Sequence, residues 1–323
     1  MSEIRDKIVG LKDYMDSRII GQKDLVKKMI ITLLAEGHAL VEGAPGLAKT
    51  KAIKTLADCI SASFNRIQFT PDLLPSDITG SEIYVSQKGE FEFRKGPIFA
   101  NLVLADEINR APAKVQSALL EAMAERQVSA GGQRYLLPRL FMVMATQNPI
   151  EHEGTYNLPE AQLDRFLMYI KIDQPNAADE RKILELVRGE GTLSTPNLRT
   201  GFDKIEIADV EAATREALNT HISRELEEYL VQLIVATRKP EKYDGELAGM
   251  VMFGASPRAT IALDRAAKIN AWLAGRDFVT PEDIHAVIYD ILRHRIILSF
   301  EAQAEGVTSD AIIGRLLNLV PLP

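Results

Sequence analysis

Apolar positions recur along this chain with two different periods, and the change from one to the other divides it. Residues 3–16 and 22–36 carry apolar side chains at helical spacing, separated by Ile19-Ile20-Gly21-Gln22, where Gly21 breaks the pattern. Short apolar runs follow at 39–42, 65–69, 102–105, 140–145 and 167–170. Unbroken runs such as Phe141-Met142-Val143-Met144 suit strands buried on both faces. Their alternation with helical stretches predicts a parallel α/β sheet flanked by helices. Two segments alternate strictly instead. Ile83 and Val85 are answered by Phe91 and Phe93 across Gln87-Lys88-Gly89, and 127–130 by 133–136 across Gly131-Gly132. Each predicts a β-hairpin inserted into the sheet unit.

After Asp173-Gln174-Pro175-Asn176 helical spacing takes over, at 177–189, 208–220, 223–238, 256–274 and 280–298. Residues 190–204, rich in Gly, Thr, Pro and Asn, read as a linker or extended crossing. Thr280-Pro281-Glu282-Asp283 places a cap, a first-turn proline and acids in order. The expected organisation is an α/β unit over 1–176 and a C-terminal all-helical unit over 177–323.

Candidate chemistry gathers where the predicted strands end. The first strand runs into Gly43-Ala44-Pro45-Gly46-Leu47-Ala48-Lys49-Thr50, followed by a helical stretch from Lys51. A strand, a glycine-containing loop and a helix start form a phosphate cradle. Loop N–H groups face the phosphates, Lys49 reaches the β/γ oxygens, and the Thr50 hydroxyl ligates Mg²⁺. Ala48 stands where glycine is usual, and an alanine there fits if it adopts the right-handed region. The run 102–105 ends in Asp106-Glu107, acids placed to hold a Mg²⁺ hydration shell (Asp106) and to deprotonate an attacking water (Glu107). The next strand ends in Thr146-Gln147-Asn148-Pro149, whose amide can help fix that water, the alternative being a turn-capping Asn. Arg165, in Leu163-Asp164-Arg165-Phe166, can stabilise charge on a transferring phosphoryl group or pair with a neighbouring acid. In Gly254-Ala255-Ser256-Pro257-Arg258, Ser256 reads as an N-cap, so Arg258 falls in a first helical turn, where a cation opposes the helix dipole. An anion such as nucleotide phosphate would offset that, as would an acid of the first unit.

Composition narrows the alternatives. A net charge of −7 argues against broad coating of nucleic acid, and 6% aromatic content without basic–aromatic interleaving gives no stacking platform. Cys59 is the single cysteine and reads as a small core residue. His38, His152, His221, His285 and His294 lack metal-ligand spacing, and Glu151-His152-Glu153 reads as a polar loop. No run approaches a membrane span and Met1-Ser2-Glu3-Ile4-Arg5 does not start a signal peptide, so a cytoplasmic protein is expected.

The order of these elements resembles the AAA+ ATPases. More narrowly, Gly-x-Pro-Gly-Leu-Ala-Lys-Thr, Ala-Asp-Glu-Ile-Asn-Arg-Ala-Pro (105–112), Ala-Thr-Gln-Asn-Pro and Pro-Glu-Ala-Gln-Leu-Asp-Arg-Phe (159–166) resemble the MoxR family, whose pattern includes the Ala48 departure. The resemblance implies ATP and Mg²⁺ as ligands, Lys49 and Thr50 as Walker A, and Asp106 and Glu107 as Walker B. It implies Asn148 as sensor 1, Arg165 as arginine finger and Arg258 as sensor 2, with Lys51, Ile19 and Ile20 also at the nucleotide. Residues 82–96 and 127–137 would be hairpins facing a ring's pore. A ring oligomer, commonly a hexamer, is implied, with a von Willebrand factor A domain partner and a client complex in metal-cofactor insertion or complex maturation. The rival readings are a nucleic-acid motor, which shares both hairpins, and a scaffold that binds ATP but hydrolyses it negligibly. A P-loop kinase would leave Arg165 and Arg258 unexplained.

Overall fold

Two helices open the chain in the computed structural model, which describes residues 2–44, 46–149, 154–191 and 202–323. Helix α1 (Glu3–Arg18) is capped by Ser2, whose hydroxyl accepts the Arg5 N–H at 3.2 Å, and α2 (Lys23–Leu34) follows the Gly21 break. Then come β1 (Ala39–Glu42), α3 (Lys49–Cys59), β2 (Phe64–Gln68), α4 (Pro75–Thr79), the hairpin β3 (Gly80–Val85) and β4 (Glu90–Lys95), and β5 (Leu102–Asp106). Helix α5 (Ala113–Glu125), the hairpin β6 (Gln127–Ala130) and β7 (Gln133–Leu136), β8 (Met142–Gln147), α6 (Glu160–Leu163) and β9 (Met168–Lys171) complete the sheet unit.

The five core strands pair in parallel in the order β2-β5-β8-β1-β9. Their unbroken apolar runs serve two cores at once. Leu102, Leu104, Met142 and Met144 face one hydrophobic cluster, while Val103, Ala105, Val143 and Ala145 face the other. Chain order reverses beside β1, so the loops leaving β1, β5 and β8 crowd one carboxyl edge, where open α/β sheets bind ligands. Both hairpins lie where the alternation predicted them, and they pack on each other: Phe93 of β4 stacks on Tyr135 of β7 with ring centroids 4.1 Å apart.

The second unit holds α7 (Ala177–Gly191), α8 (Ile207–Leu218), α9 (Arg224–Arg238), α10 (Gly245–Met250), α11 (Pro257–Leu273), α12 (Pro281–Leu292), α13 (Phe300–Ala304) and α14 (Ser309–Leu319). It departs from an all-helical unit at one place. The predicted helix 280–298 stops at Leu292, and β11 (Ile297–Leu298) pairs antiparallel with β10 (Val251–Phe253). A two-residue strand has no period to read, and its partner is distant in sequence. Residues 192–201 of the expected crossing, and Glu151-His152-Glu153, lie outside the described residues.

The two units share one core. Helix α8 packs on α1 and α2, and a single cluster runs from Ile8 and Leu11 through Met142 and Met144 to Ala266 and Ile288. A buried polar joint reinforces it: Asp290 pairs with Lys28 and with Arg293, each at 2.7 Å, and Arg293 Nη1 donates to the Tyr169 carbonyl at 2.9 Å. Burial raises the Asp290 pKa, and the two cations oppose that rise.

Candidate active site

The loop between β1 and α3 is shaped by close approach. A Cβ on Gly43 would sit 3.1 Å from Ile172 Cβ and 3.3 Å from the Ile172 carbonyl oxygen. Gly46 takes a φ of 84°, in the left-handed region that glycine adopts without strain. Ala48 departs from the sequence reading: its φ is 55° and ψ 17°, left-handed rather than right-handed. The helix begins at the next residue, with Ala52 N–H already bonded to the Ala48 carbonyl at 2.8 Å. The loop therefore reverses within one residue, at a cost of about 1–2 kcal/mol for a non-glycine. Lys49 Nζ donates to the Gly43 carbonyl at 2.8 Å, folding over the loop. Burial lowers its pKa, opposed by the nearby Asp106 and Glu107 charges. Pro45, expected in this loop, lies outside the described residues.

Gly46 to Lys51 line a cleft of about 420 Å³ with Asp106, Glu107 and Asn148, so sequence-distant candidates converge as the strand order requires. Asp106 Oδ1 accepts the Thr146 hydroxyl at 2.6 Å, and the Thr146 oxygen in turn accepts the Glu107 N–H at 2.9 Å. Thr146 is fully buried on β8, a fixed spacer between the two acids. Glu107 itself turns left-handed, with a φ of 56° and ψ of 50°, which aims its side chain away from the line of β5. Its Oε2 accepts from Gln68 Nε2 at 2.9 Å and Arg110 Nη1 at 3.2 Å. Arg66 also lines the cleft and bonds Asp106. The sequence reading missed Arg66, Gln68, Arg110 and Thr146. Arg66 and Gln68 share a face of β2 by alternation, but only the sheet order reveals that this face meets the acids.

The donors of this cleft fit a magnesium–nucleotide. Thr50 and Asp106 offer the oxygen ligands that Mg²⁺ prefers. Among the described residues no cluster of three His, Cys, Asp or Glu could hold a metal alone, so a cation here would share its shell with phosphate oxygens.

Some of the candidates stand away from the cleft. Ile19 is buried in the hydrophobic core, and neither it nor Ile20 lines the cleft; Gln22 beside them donates to the Asp173 carbonyl at 3.1 Å. Arg258, expected to face phosphate between the two units, instead lines a second cavity of about 270 Å³ together with Arg165. That cavity shares no lining residue with the phosphate cleft. Ser256 is the N-cap as expected, its Oγ accepting the Arg258 N–H at 3.2 Å while donating to Asp164 Oδ2 at 2.9 Å. Arg258 pairs with the same carboxylate at 3.7 Å, and its side chain is 58% exposed. Arg295, whose side chain is only 2% exposed, holds the other oxygen of Asp164 at 2.7 Å and donates to the carbonyls of Phe166 and Leu167. Arg126 and Arg265 in this cavity donate to the carbonyls of Glu36 and Ala35, at the end of α2. Arg165 is the exception: it is half-buried, and its side chain has no hydrogen bond or ion pair to any described residue.

Comparisons with known proteins show the family. The ATPase family associated with various cellular activities (AAA) matches residues 38–168, and the AAA lid domain matches residues 248–316. The chain is 47% identical to chaperone MoxR1 of Mycobacterium tuberculosis, over 94% of this chain and 79% of that protein. It is 31% identical to protein MoxR of Methylorubrum extorquens, over 100% of this chain and 97% of that one. The crystal structure of a Cytophaga hutchinsonii protein, 46% identical, superposes with a TM-score of 0.90 over 99% of this chain and 96% of that chain. A phosphate loop at the sheet's switch point, two acids beside it, a helical lid and these relatives place the chain in the MoxR family of AAA+ ATPases.

Proposed function

We propose that this chain is a chaperone-type ring ATPase that hydrolyses ATP between subunits. One observation carries the reading: the half-buried Arg165 side chain has no hydrogen bond or ion pair among the described residues, and it lines, together with Arg258, a cavity separate from the phosphate cleft. A half-buried guanidinium that spends none of its donors on the described residues is available to an arriving anion. Neither arginine lines the cleft of its own chain, so the phosphates they meet belong to a neighbour, and a closed ring repeats that contact at every interface.

In the proposed division of labour, Lys49 and the loop N–H groups bind the phosphates of ATP, and Thr50 with Asp106 would hold Mg²⁺. The metal supplies charge neutralisation on the transferring phosphoryl group. Glu107 takes the proton of the attacking water, Asn148 helps orient that water, and the neighbour's Arg165 and Arg258 stabilise the developing charge. The chaperone role rests on the names of the relatives. A hexamer, a von Willebrand factor A domain partner and a client complex in metal-cofactor insertion rest on the family resemblance alone. A net charge of −7 argues against broad coating of nucleic acid and so favours protein clients.

Sedimentation and ATPase activity measured across protein concentrations test the assembly. Specific activity is expected to rise as an ATP-dependent oligomer forms. Activity strictly proportional to concentration, on a monomer, would contradict it.

A further inference from the structure

The Asp106 carboxylate already has a cation of its own. Arg66 donates to Oδ2 through Nε at 3.1 Å and Nη2 at 2.6 Å, while Thr146 occupies Oδ1. The placement follows from register, since Gln68 of β2 stands directly beside Asp106 of β5 and Arg66 lies two residues back on the same face. It is also braced: Arg66 Nη2 donates to Gln68 Oε1 at 2.9 Å, and the other end of that amide donates to Glu107. The Arg66 side chain remains 50% exposed, so it can swing off the carboxylate without breaking the core.

Resting on the nucleotide-binding reading above, we propose that Arg66 is the resident counter-cation of Asp106 and sets how strongly nucleotide binding here depends on a divalent cation. A bare carboxylate in a cleft meant for a triphosphate repels it. Lys49 bonds the loop and Arg110 bonds Glu107, whereas Arg66 bonds the Asp106 carboxylate directly. While the guanidinium sits on Oδ2, the pair is neutral and nucleotide can enter without metal. A divalent cation using that oxygen must displace the guanidinium, which weakens the metal's hold. Metal and nucleotide are therefore coupled less tightly than an unpaired Asp106 would make them, and the coupling is reciprocal.

A fluorescent ATP analogue titrated into the full chain, in excess Mg²⁺ and again in excess EDTA, gives two dissociation constants. Their ratio, EDTA over Mg²⁺, measures the coupling. Arg66→Ala is expected to raise the ratio on the order of tenfold, the scale of one charge pair in a partly wet cleft. Arg66→Gln keeps polarity near Gln68 without the charge and is expected to raise it similarly, so the reading survives if the alanine variant folds poorly. Arg139→Gln removes an exposed guanidinium that pairs with Glu211 and does not line the cleft, and is expected to leave the ratio near that of the wild type. An unchanged or lower ratio in Arg66→Gln overturns the assignment while leaving the nucleotide site standing. Wild type that binds no analogue in Mg²⁺ overturns the site itself, and Arg66's role with it.

Discussion

Glu107 shows what a single position can and cannot disclose. An apolar run ending in Asp106-Glu107 marks both acids, because a buried strand ends in acids only where its edge meets water or a ligand. The left-handed turn at Glu107 was not legible, nor was its seat on Thr146, since Thr146 lies inside an apolar run and looks like core. Ala48 misled for a related reason. Helical alanine is right-handed by default, and only the reversal into α3 forces the other sign. Glu107→Gln keeps the shape and the contacts made by Gln68 and Arg110 but cannot take a proton from water. Nucleotide affinity is expected to stay within a few-fold of wild type while the hydrolysis rate falls by about 10²–10⁴. Paired binding and turnover assays check this, and comparable turnover would remove Glu107 from the base role.

At the scale of elements, periodicity carried most of the fold. Five strands and two hairpins stand within two residues of their predicted places, because burial on both faces and strict alternation are local signals. What escaped was non-local: the β10–β11 pair, and the polar ties that fix one element against another. His38, just before β1, is such a tie. Its ring is buried, Nδ1 accepts the Val143 N–H of β8 at 3.0 Å, and Nε2 carries the proton toward the Met123 carbonyl of α5 at 3.4 Å. Burial pushes its pKa from 6.5 down to about 4, with the Met123 carbonyl opposing the fall. The unfolded chain therefore takes up this proton between pH 6.5 and 4 while the folded chain does not. Stability from His38 is present above pH 6.5 and lost as pH falls through that window, by up to about 3 kcal/mol. His294, also buried with a lowered pKa, contributes with the same sign. His38→Gln offers a donor and an acceptor without titrating. Urea unfolding between pH 7 and 4.5 is expected to show a flatter decline in this variant. An identical slope would mean that the His38 ring is not excluded from water.

At the scale of the whole molecule, the sequence marked a division near residue 176 that the packing does not respect. Helix α8 closes over α1 and α2, and the 164–167 segment of the sheet unit is gripped by Arg295 of the helical one. Asp164→Ala would leave Arg295 buried without its carboxylate, and breaking a buried pair costs about 3 kcal/mol or more. Chemical denaturation should register that loss, whereas a change below about 1 kcal/mol would make the joint incidental. The same joint brings Arg165 and Arg258 to the lining of one cavity, separate from their own phosphate cleft. No pattern along the chain could show this, because it depends on how the lid docks.

The claim that the catalytic site is completed across a subunit boundary is tested most directly by mixing two inactive variants. Arg165→Ala keeps the phosphate loop but lacks the finger, and Lys49→Ala keeps the finger but should not hold ATP productively. Each alone is expected to hydrolyse ATP poorly, with Arg165→Ala still binding it nearly as wild type does. A trans finger accounts for rate factors of ~10³–10⁵ in related phosphoryl-transfer enzymes. Mixed in equal amounts, with co-assembly verified by affinity capture of one tagged variant, the two are expected to regain a measurable fraction of wild-type turnover, because some interfaces then pair an intact loop with an intact finger. Mixed oligomers as inactive as their components would contradict the shared site and leave Arg165 acting within its own chain or not at all.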